Sequence, residues 1–156
     1  MKNLTNALIA VLCLFNLHAH AQQYDAPIYE FYGSVTKALP VSYKPVAVMI
    51  KIDVDHAGKV ADITLSDSAQ PDFRRQFEAA KKAFNMEALN RYINLNKLKH
   101  TSFLIPYYVT NANNKSKPQT DPLLTKFKGK EFKGKVRVLR PISSTYAITT
   151  TTTKAL

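Results

Sequence analysis

Apolar and polar side chains alternate from Val46 onward: Val46, Val48, Ile50, Ile52 and Val54 are interleaved with Ala47, Met49, Lys51, Asp53 and Asp55. A period of two predicts a strand with one buried face. Asp55-His56-Ala57-Gly58 follows, with an aspartate at the first turn position and a glycine at the fourth, which suits a hairpin connection. Val60 to Ser66 resumes as a second strand with Ala61, Ile63 and Leu65 on one face. Pro71 and Asp72 then open a helix, since proline is tolerated in a first turn and a carboxylate favours its positive end. Phe73, Phe77, Ala80 and Phe84 form one helical stripe, with Arg74, Arg75, Glu78, Lys81 and Lys82 turned away from it. The stripe reads as core, not as a ligand box, and Glu78 is placed to pair with Lys82 one turn on.

Met86, Leu89 and Ile93 continue that helix or start another, and Asn94 to His100 reads as a polar loop. Phe103, Ile105, Tyr107 and Val109 alternate with Leu104, Pro106 and Tyr108 as a third strand. Pro106 cannot donate to a ladder, so the expectation is an edge strand or a bulge. Upstream, Tyr29 to Leu39 is compatible with a short helix that turns Tyr32, Val35 and Leu39 inward, against the preference of Gly33.

The N-terminus changes the compartment. Lys2 precedes an unbroken apolar run from Ala7 to Phe15, and Ala19-His20-Ala21 places small residues where a signal peptidase cuts. Residues 1–21 are expected to be a cleaved secretory signal, with Gln22 as the mature N-terminus. The run is nine residues, or eleven with Leu17, against the roughly 20 needed to span a bilayer. Cys13, the one cysteine, sits within the run behind Leu12, not behind the small residue that lipidation resembles. It leaves with the signal, so the mature chain has no disulfide, thiolate nucleophile or thiolate ligand.

The remaining charge is uneven. Residues 22–110 carry eleven Lys/Arg against nine Asp/Glu, and residues 111–156 carry ten against two. A nearly neutral domain (22–110) is therefore expected to precede a basic, low-complexity extension (111–156). In that extension Asn111 to Pro122 reads as a polar linker, Phe-Lys-Gly-Lys occurs twice, Val136 to Leu139 fits a short strand, and Thr149 to Thr153 is a threonine run near a mobile end. Lys126, Lys128, Lys130, Lys133, Lys135, Arg137 and Arg140 interleave with Phe127, Phe132, Val136 and Val138. In a cytoplasmic protein that pattern fits nucleic acid; export removes nucleic acid as a natural partner. Anionic lipid or glycan exploits the same charge, as does simple solvation.

Other chemistry is thin. Asp53-x-Asp55-x-Ala57-Gly58 resembles the start of a calcium loop, but Ala57 and Thr64 stand where oxygen ligands belong. His56 and His100 lack the spacing of a zinc site. No nucleophile elbow and no phosphate-cradling glycine loop occurs, so no enzyme, metal or cofactor is expected.

Phe31-Tyr32, Val48-Met49-Ile50-Lys51-Ile52-Asp53 running into Gly58-Lys59-Val60-Ala61-Asp62, and Ile105-Pro106-Tyr107-Tyr108 together resemble the C-terminal domain of TonB-type energy transducers. The likeness covers Phe31 to Val109; the family's tryptophan-proline-glycine word is missing, as is any tryptophan. It implies an α+β fold: a small antiparallel sheet of about three strands packed on one main helix, Phe73 to Phe84. A transducer has a membrane helix and a long spacer, whereas here a cleavable signal leads almost directly into the domain. The expected function is thus an exported, non-catalytic binding module, periplasmic or outer-membrane-associated. It would recognise an envelope protein through a sheet edge, with Phe103, Ile105, Tyr107 and Val109 as the edge strand. The alternatives are a protein adhering to anionic lipid or glycan through the seven basic residues, and an enzyme without a recognisable motif.

Overall fold

The computed structural model describes residues 25–39, 45–111, 126–128, 132 and 134–146. The expected secretory signal (1–21), Lys130, Lys133 and the threonine run lie outside them. In chain order the elements are helix α1 (25–38), strands β1 (Val46–Val54) and β2 (Val60–Leu65), and helices α2 (Pro71–Ala80) and α3 (Met86–Leu95). Strands β3 (Thr101–Asn111), β4 (Lys135–Val138) and β5 (Ile142–Tyr146) follow. A short 3₁₀ turn, Lys81–Ala83, separates α2 from α3.

These elements correct the expected architecture of one helix on three antiparallel strands. The described residues form three α-helices and a five-stranded mixed sheet, ordered β2-β1-β3-β4 with β5 also on β3. β1 pairs antiparallel with β2 and β3, whereas β4 and β5 both pair with β3 in parallel. The extra strands come from the segment read as a basic extension. Of these, β4 falls on the short strand expected at Val136 to Leu139, whereas β5 carries little apolar alternation and was not expected.

The aromatic stripe of α2 behaves as core: Phe73 stacks on Tyr107, and Phe77 meets Phe84 edge to face. Beneath it lie Ile50, Ile52, Phe103 and Ile105, all fully buried. α3 is a separate helix because Asn85 caps it, its side chain accepting the Ala88 N–H at 3.0 Å. It ends with Lys97 in the left-handed region (φ 51°), where glycine is more usual. There the Leu98 N–H reaches back to the Ile93 carbonyl at 3.0 Å and Leu98 is buried, which closes the helix end. Glu78 pairs with Lys81, three residues on, at 2.6 Å.

The hairpin turn is held by Asp55, whose Oδ1 accepts the Lys59 N–H at 2.8 Å. Its carbonyl accepts the N–H groups of Gly58 and, from beyond α3, His100. The Lys59 bond is the main reason its carboxyl is held below the usual carboxylate range. A lowered folded pKa supplies stability above an ordinary value of about 4, and that stability is lost as pH falls through the folded value. Asp55→Asn is therefore expected to flatten the acid limb of a urea-midpoint profile below about pH 4. An acid limb identical to that of the parent overturns this role.

Candidate functional site

β1 was expected to have one wet face, yet seven consecutive residues, Val48 to Val54, are buried. The cover comes from the basic segment. The Asp67 N–H, just beyond β2, donates to the Lys126 carbonyl at 2.8 Å, and the Lys128 N–H donates to Asp67 Oδ1 at 2.9 Å. β4, the next strand in the chain, lies on the far side of the sheet. Phe127 packs against Met49 and Leu104. The Phe127 and Phe132 rings meet edge to face at 5.7 Å, both within cation–π range of Lys51 Nζ. Lys51 in turn forms a buried ion pair with Asp53 (3.1 Å), which accepts a hydrogen bond from Ser102 Oγ at 2.6 Å. The two phenylalanines thus serve the sheet, while Lys126 and Lys128 beside Phe127 are exposed.

β3 is not an edge. Phe103, Ile105, Tyr107 and Val109 are buried beneath the helices, and strands flank β3 on both sides. Pro106 fits there for a geometric reason. Its partner on β1, Met49, directs its N–H to Ser66 Oγ and its carbonyl to the Ser66 N–H, toward β2. Met49 and Pro106 are therefore a non-hydrogen-bonded pair, and the nitrogen of Pro106 points away from β1. It faces the break where β4 has ended at Leu104 and β5 has yet to begin at Tyr107.

β2 lies at one edge of the sheet and β4 and β5 at the other, and the edges differ. On β2, Lys81 Nζ takes the Ile63 carbonyl at 2.9 Å and Arg74 Nη2 takes that of Ser66 at 2.9 Å, so basic side chains occupy the strand. On β4, the Lys135 and Leu139 N–H groups bond to the His100 and Leu104 carbonyls of the β3 side. By alternation, the N–H and C=O groups of Val136 and Val138 point outward, and no strand pairs with them among the described residues. The side chains of Val136 and Val138 are themselves exposed.

Lys135, Arg137 and Arg140 lie along this edge, whereas Lys126 and Lys128 sit beside Asp67 at the other side of the sheet. The seven basic residues therefore do not make one patch among those described. Next to β4, α1 and α3 leave a cleft of about 170 Å³ lined by Tyr29, Tyr32, Tyr92, Asp25, Leu139 and Arg140, with further apolar contacts. Arg140 Nη1 donates to the Tyr29 hydroxyl at 2.7 Å. Burial, the larger cause, pushes the hydroxyls of Tyr32 and Tyr92 above the ordinary tyrosine pKa. Sequence reading missed this cleft because its parts are more than a hundred residues apart along the chain. The one available signal was the cluster Tyr29-x-x-Tyr32 on a short amphipathic helix.

His56 and His100 stack with ring centroids 4.0 Å apart. Among the described residues no group of three or more His, Cys, Asp or Glu side chains is placed to hold a metal ion. Among them, too, no helix is long and apolar enough to cross a membrane. A comparison with protein-family models, curated proteins and solved structures finds no match for the chain.

Proposed function

We propose that this chain is an exported, non-catalytic binding module of the bacterial envelope that recognises an extended segment of a protein partner by strand addition to β4. The observation that carries this reading is the outward row of backbone groups at Val136 and Val138, on the one sheet edge that α2 and its following turn do not occupy. Lys135, Arg137 and Arg140 along that edge favour an acidic partner. Export rests on the signal-like residues 1–21, and the TonB-like words between Phe31 and Val109 support a peptide-binding use of the sheet without the transducer's anchor.

The test places a photoreactive residue at Val138 of the full chain in cells, with a control at Arg75 on α2. Val136→Pro removes one outward N–H and leaves the Lys135 and Leu139 bonds to the β3 side in place. Loss of that hydrogen bond is expected to lower the Val138 adduct about tenfold, with the melting temperature of the purified protein unchanged. An adduct of undiminished yield, or one equally strong from Arg75, overturns strand addition at β4.

A further inference from the structure

We propose that the tyrosine cleft beside β4 is a carboxylate pocket, which takes the acidic side chain of a peptide lying along that edge. This inference rests on the strand-addition reading for its occupant, though the pocket chemistry stands separately. Tyr32 and Tyr92 are more than nine-tenths buried, at 9% and 7% exposure. Among the described residues neither hydroxyl has a hydrogen-bond partner, and both tyrosines line the cleft. Buried phenols without partners are costly unless a ligand or water meets them. Their raised pKa values keep them protonated, as donors, throughout the neutral range.

Arg140 supplies the charge. Its Nη1 donates to Tyr29, which holds the planar fork at the cleft, and among the described residues its other N–H groups make no hydrogen bond and can meet a carboxylate. A carboxylate offers about four acceptor sites, enough for two phenols and a guanidinium together. Asp25 on α1 lines the same cleft, and its field reaches both tyrosines. Arg140 opposes that field at Tyr32, and Arg137 opposes it at Tyr92. Arg140 and Asp25 are the charged side chains lining the cleft, and Arg137 acts on Tyr92 from outside it. The cationic field is therefore small and favours a single negative charge over a dianion such as phosphate. Size agrees: 170 Å³ is several times the roughly 30 Å³ share of one water, enough for an acidic side chain and too little for a chain of sugars.

The probe is blocked glutamate (N-acetyl-glutamate N-methylamide), titrated into the full chain and followed by NMR of the tyrosine rings. Blocked glutamine is expected to bind about tenfold more weakly, because the charge-assisted bonds are lost. Arg140→Gln and the double change Tyr32→Phe with Tyr92→Phe should each weaken blocked glutamate about tenfold, the latter while preserving ring packing. Equal affinity for the glutamine probe overturns the proposal. So does tighter binding of inorganic phosphate, or of glucuronate, which would transfer the pocket to an acidic glycan. A single blocked residue cannot pair as a strand, so Val136→Pro should leave its affinity unchanged. If the glutamate response fails while the Val138 adduct persists, the pocket falls and strand addition stands; the reverse result removes strand addition alone.

Discussion

Replacing Lys51 by methionine is expected to destabilise the protein by about 3–5 kcal/mol, more than most surface lysines approach. The side chain of Lys51 is fully buried and that of Asp53 nearly so, with Nζ and Oδ2 3.1 Å apart. Methionine fills similar volume but leaves the Asp53 carboxylate buried without its cation. The Ser102 hydroxyl, 2.6 Å from Oδ1, compensates only part of that charge. The two phenylalanine rings lose their cation as well, a smaller effect of about 1 kcal/mol. The combined variant Lys51→Met, Asp53→Leu should recover most of the loss, because removing both charges removes the desolvation problem. Urea unfolding of the two single variants and the double variant closes the cycle. A Lys51→Met cost below about 1 kcal/mol would show that water reaches the pair, and the cover by Phe127 and Phe132 would have to be abandoned.

Gly134→Val should be nearly as severe, and more local. Gly134 has φ +63°, and a Cβ there would lie 2.0 Å from the backbone oxygen of His100. That oxygen accepts the Lys135 N–H that begins β4. A left-handed non-glycine residue costs about 1–3 kcal/mol by itself, and here the backbone has no flexible side-chain end to displace. The expected result is detachment of β4 with the hairpin intact: fast hydrogen exchange at Lys135 and Leu139, retained protection in β1 and β2, and loss of the glutamate response in the tyrosine cleft. Gly58→Ala is the comparison. It shares a positive φ (+80°), but its new Cβ meets the Leu98 oxygen at 3.3 Å, so a cost of about 1 kcal/mol is expected. Equal protection of Lys135 in the Gly134→Val protein and its parent would overturn the assignment of this glycine.

What the sequence made legible was local. Val46 to Val54, the Asp55–Gly58 turn and Val60 to Leu65 form the hairpin where alternation and turn chemistry place it. The Phe73–Phe77 stripe faces the core, as its spacing predicts. The errors share one physical source, contacts between residues far apart in the chain. Lys51 and Asp53 look like solvent positions until Phe127 and Phe132 arrive from beyond β3. Pro106 says that one N–H is missing, but not which neighbour would have used it. The side is fixed by Met49 bonding to Ser66, a fact of register. Ile142 to Tyr146, rich in Ser and Thr, carries little apolar alternation and earned no strand assignment. The cleft joins α1, α3 and the end of β4, so no window along the chain contains it.

The parallel pairing of β4 with β3 has a consequence for the order of assembly. β1, β2 and β3 close through short connections and helices, whereas residues 112–134 must be spanned before β4 can register against Thr101 to Leu104. Chain entropy charges for that closure before any contact repays it, so the outer strands dock on a sheet already made. The tyrosine cleft is complete only after that last event, because Arg140 and Leu139 arrive with β4. A ligand in the cleft would therefore stabilise the final folding step alone. Occupancy, through mass action, would set how long the outer edge stays closed.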